Sequence, residues 1–229
     1  MDFYNMLKKY YDEIFPFSTE TYNFLKQFVN EWGNVLDIGS ATGKYISHFR
    51  DDGYHAIGLD KYDFSVKSDD LVLGDMANLP FKENSFDFIY SIGNTLVHAK
   101  TRGEFADIIL NCMKLLKPGG KFLFQILNYD RILDNNIKEL PDITTENLRF
   151  QRYYEYENES KIIFKGILRF SNSNQEYESE IPIIPIRMDE VKWVAGKSKA
   201  NFVQFFGDFS GKKFFKPESF MLIAIFFKQ

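Results

Sequence analysis

The chain has 229 residues, enough for one domain with an insertion and for a large buried core. Apolar residues make up 45% and charged residues 26%, a balance that excludes a disordered chain. The net charge of −4 argues against broad contact with a nucleic-acid backbone, and the single cysteine, Cys112, excludes an internal disulfide and a cysteine-based metal site.

Residues 3–30 read as helical, with a stop at Pro16. Ser18 and Thr19 are placed to cap the second part, whose apolar stripe is Tyr22, Leu25, Phe28 and Val29. Strands are predicted over Asn34–Ile38 and 54–59, on either side of a helix over 43–50. Leu71–Leu73 and 86–90 add two short strands, and 62–70 leaves room only for a turn or a short helix. The clearest amphipathic helix covers 102–116, with Cys112 on its apolar stripe as a small hydrophobe. It stops at Lys117-Pro118-Gly119-Gly120, and the nearly continuous apolar run 121–127 is expected to be a strand covered on both faces.

The pattern then changes. Over 148–188 the alternation of Tyr154, Tyr156, Ile162, Phe164 and Phe170 predicts a β-rich insertion, with a hairpin turn in 171–176. A helix over 189–200 and two closing strands over 202–206 and 220–227 follow. The N-terminus carries acidic and polar residues instead of a secretory pattern, and no apolar run approaches the ~20 residues of a membrane span. The expectation is a cytoplasmic protein without a membrane partner.

Strands alternating with helices over short links imply an α/β fold with a Rossmann-like, doubly wound, mostly parallel sheet. Ligands bind such sheets at the carboxyl ends of the strands. The chemically suggestive residues fall there: Asp37 to Gly43, Asp60, Asp75, Ser91 to Asn94, and Asn128 with Tyr129. Gly39 and Gly43 leave room for close backbone approach, and the helix that follows presents free N–H groups. Asp37 stands where it favours a positive charge. Asp60, ending the second strand, suits two ribose hydroxyls, while Asp75 suits an adenine amine and Met76 its ring face.

The ordered set Asp37-Ile38-Gly39-Ser40-Ala41-Thr42-Gly43, Asp60, Gly74-Asp75-Met76, Phe86-Asp87-Phe88-Ile89 and Leu116-Lys117-Pro118-Gly119-Gly120 resembles the class I S-adenosylmethionine-dependent methyltransferases over residues 30–130. The 220–227 run is similar to that family's antiparallel last strand. The resemblance implies a single methyltransferase domain over 1–229, S-adenosylmethionine as cofactor, no metal, and the insertion 148–188 as a substrate lid. Ser40 and Ser91 join the implied cofactor set, and Tyr11 is the candidate N-terminal tyrosine that closes over it.

Ser91-Ile92-Gly93-Asn94-Thr95-Leu96-Val97-His98 and Asn128-Tyr129-Asp130-Arg131-Ile132-Leu133 are similar to segments of the glycine and sarcosine N-methyltransferases. The resemblance makes Asn94 the residue that orients the acceptor and His98 a candidate base at the pocket wall. Those enzymes carry an arginine just before the second segment to grip a carboxylate, whereas Leu127 stands here. An alkyl side chain does not replace a bidentate contact, so glycine is not the expected acceptor. Arg149, Arg152 and Arg187 are the candidates to hold a carboxylate instead. The expected partner is a small-molecule acceptor of a methyl group on nitrogen or oxygen.

Three other readings stand beside this one. A nicotinamide oxidoreductase would want Gly-x-Gly-x-x-Gly, and the chain has Gly39-x-x-x-Gly43. A non-catalytic S-adenosylmethionine-binding subunit would keep the acids without turnover. An RNA-modifying methyltransferase is the third, although the Asn-Pro-Pro-Tyr motif used on flipped bases is absent after residue 90.

Overall fold

In the computed structural model, residues 7–64, 70–158, 161–171 and 175–229 are described. Parts of the expected helix at 3–30, the turn at 62–70 and the hairpin at 171–176 lie outside them. The N-terminal segment is less helical than its pattern suggests. A 3-10 turn at Lys8–Tyr10 leads into α1 (Tyr11–Ile14) and α2 (Thr19–Lys26). Pro16 separates the two helices, and the Ser18 hydroxyl caps α2 by accepting from Thr21 N at 3.2 Å.

The main sheet holds β1 (Asn34–Ile38), β2 (His55–Asp60), β3 (Leu71–Leu73), β4 (Phe86–Ser91), β5 (Leu116–Leu127), β10 (Ala200–Phe206) and β11 (Met221–Lys228). Their order is β10-β11-β5-β4-β1-β2-β3. The five strands from β3 to β5 are parallel, and β11 runs antiparallel to both its neighbours. Strand order reverses between β1 and β4, which opens a crevice at their carboxyl ends. The crossover helices α3 (Lys44–Asp51) and α4 (Arg102–Leu115) cover the faces. Thr101 caps α4 by accepting from Glu104 N at 3.0 Å.

Pairing of β5 begins at Leu116, earlier than expected, with a register irregularity opposite Phe86 and Phe88 that absorbs the Pro118-Gly119-Gly120 stretch. Phe122, Phe124 and Phe226 are fully buried between the sheet and α4, each contributing about 1.5–3 kcal/mol on burial. Cys112 is fully buried among them, and burial raises its thiol pKa.

The insertion is an antiparallel sheet of β6 (Glu139–Thr144), β7 (Leu148–Asn158), β8 (Lys161–Phe170) and β9 (Glu176–Ile183), in that order. It starts one strand before the expected boundary at 148, because β6 is too polar and Pro-interrupted to show a strand period. The segment α5 (Tyr129–Asp134) leads into it, and α6 (Met188–Lys197) leads out. Both ends meet at the buried carboxylate of Asp130. Its Oδ2 accepts from Met188 N at 2.8 Å, and its Oδ1 faces Lys216 at 3.0 Å and Arg187 at 3.3 Å. Leu7 and Ile14 pack into the core of this sheet with Leu148, Phe150 and Leu168.

Candidate active site

The turn after β1 is shaped by the backbone. Gly39 and Gly43 both adopt left-handed conformations, at φ of 82° and 73°. A Cβ on Gly39 would lie 2.5 Å from Thr95 Cγ2, so the loop after β4 packs against the loop after β1 at that glycine. Gly39 N donates to Leu59 O at 2.7 Å, which fastens the turn to β2.

Under this loop lies a group of unmatched polar atoms. Register sets Asp37 beside Tyr90 and opposite Gly58. Gly58 in turn makes room for Ser40, whose Oγ would stand 2.5 Å from a Cβ there. Asp37 Oδ1, Ser40 Oγ and Tyr90 OH are all buried without a hydrogen-bond partner. Burial pushes the Asp37 carboxyl up to about 8, and Asp60 adds to the rise. The neighbouring Tyr90 hydroxyl opposes the rise. A buried carboxyl of this kind suits a cationic ligand group.

Asp60 ends β2 and organises its surroundings. Its Oδ2 accepts from Ala41 N at 2.8 Å and its Oδ1 from Tyr62 N at 2.9 Å. Burial raises its pKa, while those backbone donors lower it. Asp75 follows β3; its Oδ1 accepts from Ala77 N at 2.9 Å and Lys61 Nζ lies 3.8 Å from Oδ2. Two cavities open here. The smaller, about 270 Å³, is lined by Asp60, Tyr62, Asp75 and Met76. The larger, about 460 Å³, runs from Asp37 and Ser40 to the inner face of the accessory sheet. Tyr11, Gly39, Ala41, Gly93 and His98 line both. Tyr11 is held at that junction by edge-on packing against Phe64, at 5.2 Å between ring centroids. Burial and the nearby Asp60, Asp37 and Asp12 carboxyls raise its phenol pKa.

Asn94 lines the larger cavity in a left-handed conformation. Its Oδ1 accepts from Leu127 N at 2.9 Å and its Nδ2 donates to Tyr129 OH at 2.9 Å. The side chain therefore ties the loop after β4 to the end of β5. Gln125 works in parallel, accepting from Gly93 N at 2.8 Å. Burial lowers His98 to about 4, with a further contribution from Lys61. It is neutral near pH 7 and a weak base there.

Ser91 does not reach this site. It is fully buried and donates its hydroxyl to Ile38 O at 2.7 Å, joining β4 to β1 instead of facing either cavity. Of Tyr153, Tyr154 and Tyr156, only Tyr154 lines the larger cavity. Phe150, Arg152 and Tyr154 share one face of β7 and line it together, whereas Tyr153 faces the other way. His48 stacks on Phe17 at 3.7 Å and is structural. Among the described residues no cluster of metal-ligating side chains occurs, and no helix is long and apolar enough to cross a membrane.

Reading by residue type missed Thr42, Gln125 and the closure of 7–18 over the loop. Thr42 donates to Asp12 Oδ1 at 2.6 Å, and Lys44 Nζ lies 3.3 Å from Asp12 Oδ2. The acidic pair Asp12-Glu13 was the available signal. Glu13 accepts from Thr145 and Asn147 on the accessory sheet.

Residues 36–124 match the family model described as a methyltransferase domain. Sterol 24-C-methyltransferase ERG6 of Saccharomyces cerevisiae is 31% identical over 134 residues, which is 51% of this chain and 33% of that one. The tRNA (carboxymethyluridine(34)-5-O)-methyltransferase of the same yeast is 30% identical over 129 residues, covering 50% of this chain and 45% of that one. The chain thus spans less than half the length of these relatives. Among solved structures, the CcbJ methyltransferase of Streptomyces caelestis superposes with a TM-score of 0.80 at 17% identity, over 97% of this chain and 95% of that one. SAM-bound CalS10, an amino pentose methyltransferase of Micromonospora echinaspora, gives a TM-score of 0.68 at 12% identity, over 98% and 97%. These two show a shared fold over nearly the whole chain.

Proposed function

We propose that this chain is an S-adenosylmethionine-dependent methyltransferase acting on the nitrogen or oxygen of a small molecule, with the accessory sheet as the lid over the acceptor. The observation that carries the reading is the buried, unmatched set of Asp37 Oδ1, Ser40 Oγ and Tyr90 OH beneath a left-handed glycine loop, with Asp60 ending β2 and Asp75 in the loop just past β3. S-adenosylmethionine is the cofactor; when bound it supplies a methyl group already activated by the sulfonium charge.

The chain's own residues bind, orient and exclude water. Asp37 and Ser40 meet the amino-acid end of the cofactor, and Asp60 accepts the ribose hydroxyls with the lone pairs left by Ala41 N and Tyr62 N. Asp75 and Met76 take the base. Tyr11 closes the junction of the two cavities. Asn94 sets the acceptor end by holding Leu127 and Tyr129 in place, and its second amide hydrogen remains for a substrate. His98 contributes a neutral wall. Such a site acts mainly by alignment in a chamber closed to water.

The likeness to glycine and sarcosine N-methyltransferases rests on 91–98 and 128–133 alone. Leu127 lines the cavity without a charge and its N–H is taken by Asn94 Oδ1, which supports an acceptor other than glycine. Calorimetric titration with S-adenosylmethionine, S-adenosylhomocysteine and NADH tests the reading. Micromolar binding of the first two and none of the third is expected; the reverse, or no binding, overturns it.

A further inference from the structure

The acceptor half of the larger cavity is walled by apolar side chains and holds a cation, Arg152, that forms no ion pair among the described residues. Leu140, Phe150, Phe164 and Ile183 of the accessory sheet, with Leu7 and Ile14 of the N-terminal segment, form the walls. Arg152 projects among them from the middle of β7. The guanidinium carbon lies 5.8 Å from the Phe150 ring centroid, and Nη2 donates to Pro141 O, a neutral acceptor. Nε is buried without a hydrogen-bond partner.

The sheet register explains why this charge is unanswered. The cross-strand neighbours of Arg152 are Leu140 on β6 and Gly166 on β8, and neither offers a carboxylate. The other arginines of this sheet are paired: Arg149 with Asp142 and Arg169 with Glu176. Asp142, the carboxylate whose field reaches Arg152, is already engaged in that pair with Arg149. On the outer face Lys165 is held by both Glu155 and Glu180. The sheet therefore spends its acids on ion pairs with its outward cations, and among the described residues Arg152 forms no ion pair. A partly buried guanidinium with spare donors is costly unless a ligand answers it, and its planar fork matches carboxylate and phosphate oxygens.

We infer that the methyl acceptor is an organic anion, an apolar body carrying a carboxylate or phosphate group that Arg152 holds against the inner face of the accessory sheet. The inference rests on the methyltransferase reading for the word acceptor, and on the cavity alone for the anion. Arg152 is then a specificity-determining residue, and the lid sheet selects by charge as well as by shape.

The test uses the full chain saturated with S-adenosylhomocysteine and four probes of one shape: 4-phenylbutyrate, 4-phenylbutyl phosphate, 4-phenylbutyramide and 4-phenylbutylamine. Affinities are read by calorimetry for the natural chain, Arg152→Gln and Arg152→Lys, with S-adenosylhomocysteine affinity and thermal midpoint as controls of fold. An anion should bind about tenfold or more tighter than the neutral amide. Arg152→Gln should abolish that preference and Arg152→Lys should keep part of it, with cofactor-product affinity unchanged in both. The tighter of the two anions identifies the head group. Equal affinity for amide and anion, a preference that survives Arg152→Gln, or binding of no anion to the loaded protein overturns the inference. Should S-adenosylhomocysteine fail to bind while the Arg152-dependent anion preference persists, the methyltransferase reading falls and the anion site stands.

Discussion

Thr42 donates its hydroxyl hydrogen to Asp12 at 2.6 Å, which latches the N-terminal segment onto the loop between β1 and α3. One residue on, Glu13 reaches the accessory sheet through Thr145 and Asn147. Two neighbouring carboxylates thus hold the two walls of the larger cavity together. Asp12→Ala should remove about 0.5–1.5 kcal/mol of closure, weakening S-adenosylhomocysteine binding roughly two- to tenfold. Calorimetry alongside a thermal melt checks this, and an unchanged affinity would show that the latch does not serve the site.

Asp37 gives a pH signature. It keeps its proton in the folded protein up to about pH 8, while in the unfolded chain a carboxyl loses it above about 4. The folded state therefore binds more protons across that window, and its contribution to stability falls as pH rises from about 4 to about 8. Denaturation of the ligand-free protein at several pH values should show this slope, and Asp37→Asn should flatten it.

The same proton predicts linkage to the ligand. A cationic amino-acid group beside Asp37 favours the carboxylate, so binding S-adenosylhomocysteine at neutral pH should release up to about one proton. Titrations in buffers of different ionisation enthalpy measure it. The release should vanish in Asp37→Asn.

Asp60 accepts from two backbone amides besides its proposed ribose contact. Asp60→Ala should lower cofactor affinity at least about tenfold, since charge-assisted hydrogen bonds contribute about 1.5–3 kcal/mol each, with the fold retained. Asp60→Asn, which keeps an acceptor oxygen, should lose less. Equal affinity in the natural chain and Asp60→Ala would refute the ribose assignment.

Asn94 and Ser91 should behave oppositely. Asn94→Gly preserves the left-handed backbone but frees Leu127 N and Tyr129 OH, so turnover should drop while cofactor affinity holds. Ser91→Ala should cost about 1–3 kcal/mol by leaving Ile38 O unmatched, with cofactor affinity unchanged in the protein that remains folded.

The first two strands were legible because each is a short apolar run with a carboxylate at or next to its carboxyl end, Asp37 in β1 and Asp60 in β2. The accessory sheet was legible where it alternates, in β7 and β8, and illegible in β6, whose Pro141 and Asp142 break any period. Ser91 was misplaced because a serine at a strand end looks the same whether it faces a ligand or spends its hydroxyl on a neighbouring strand. Arg152 stood among three candidate arginines, and only register separates them, since pairing with Asp142 or with Asp130 and Asp134 is set by folding. The N-terminal latch could not be read, because Asp12 and Thr42 are 30 residues apart and each is ordinary alone.

Asp130 joins the two ends of the accessory sheet at a single carboxylate, through Met188 N and Arg187 on the outgoing side. A segment whose entry and exit meet at one point imposes no distance requirement on the strands before and after it. The insertion thus leaves and rejoins the main sheet at one place, so the pairing of β5 with β11 does not depend on its length, while the N-terminal segment braces its far side through Glu13, Leu7 and Ile14. On the proposed function, substitutions on the cavity face of β6 to β9 would change acceptor choice while leaving Asp37, Asp60 and Asp75 in place.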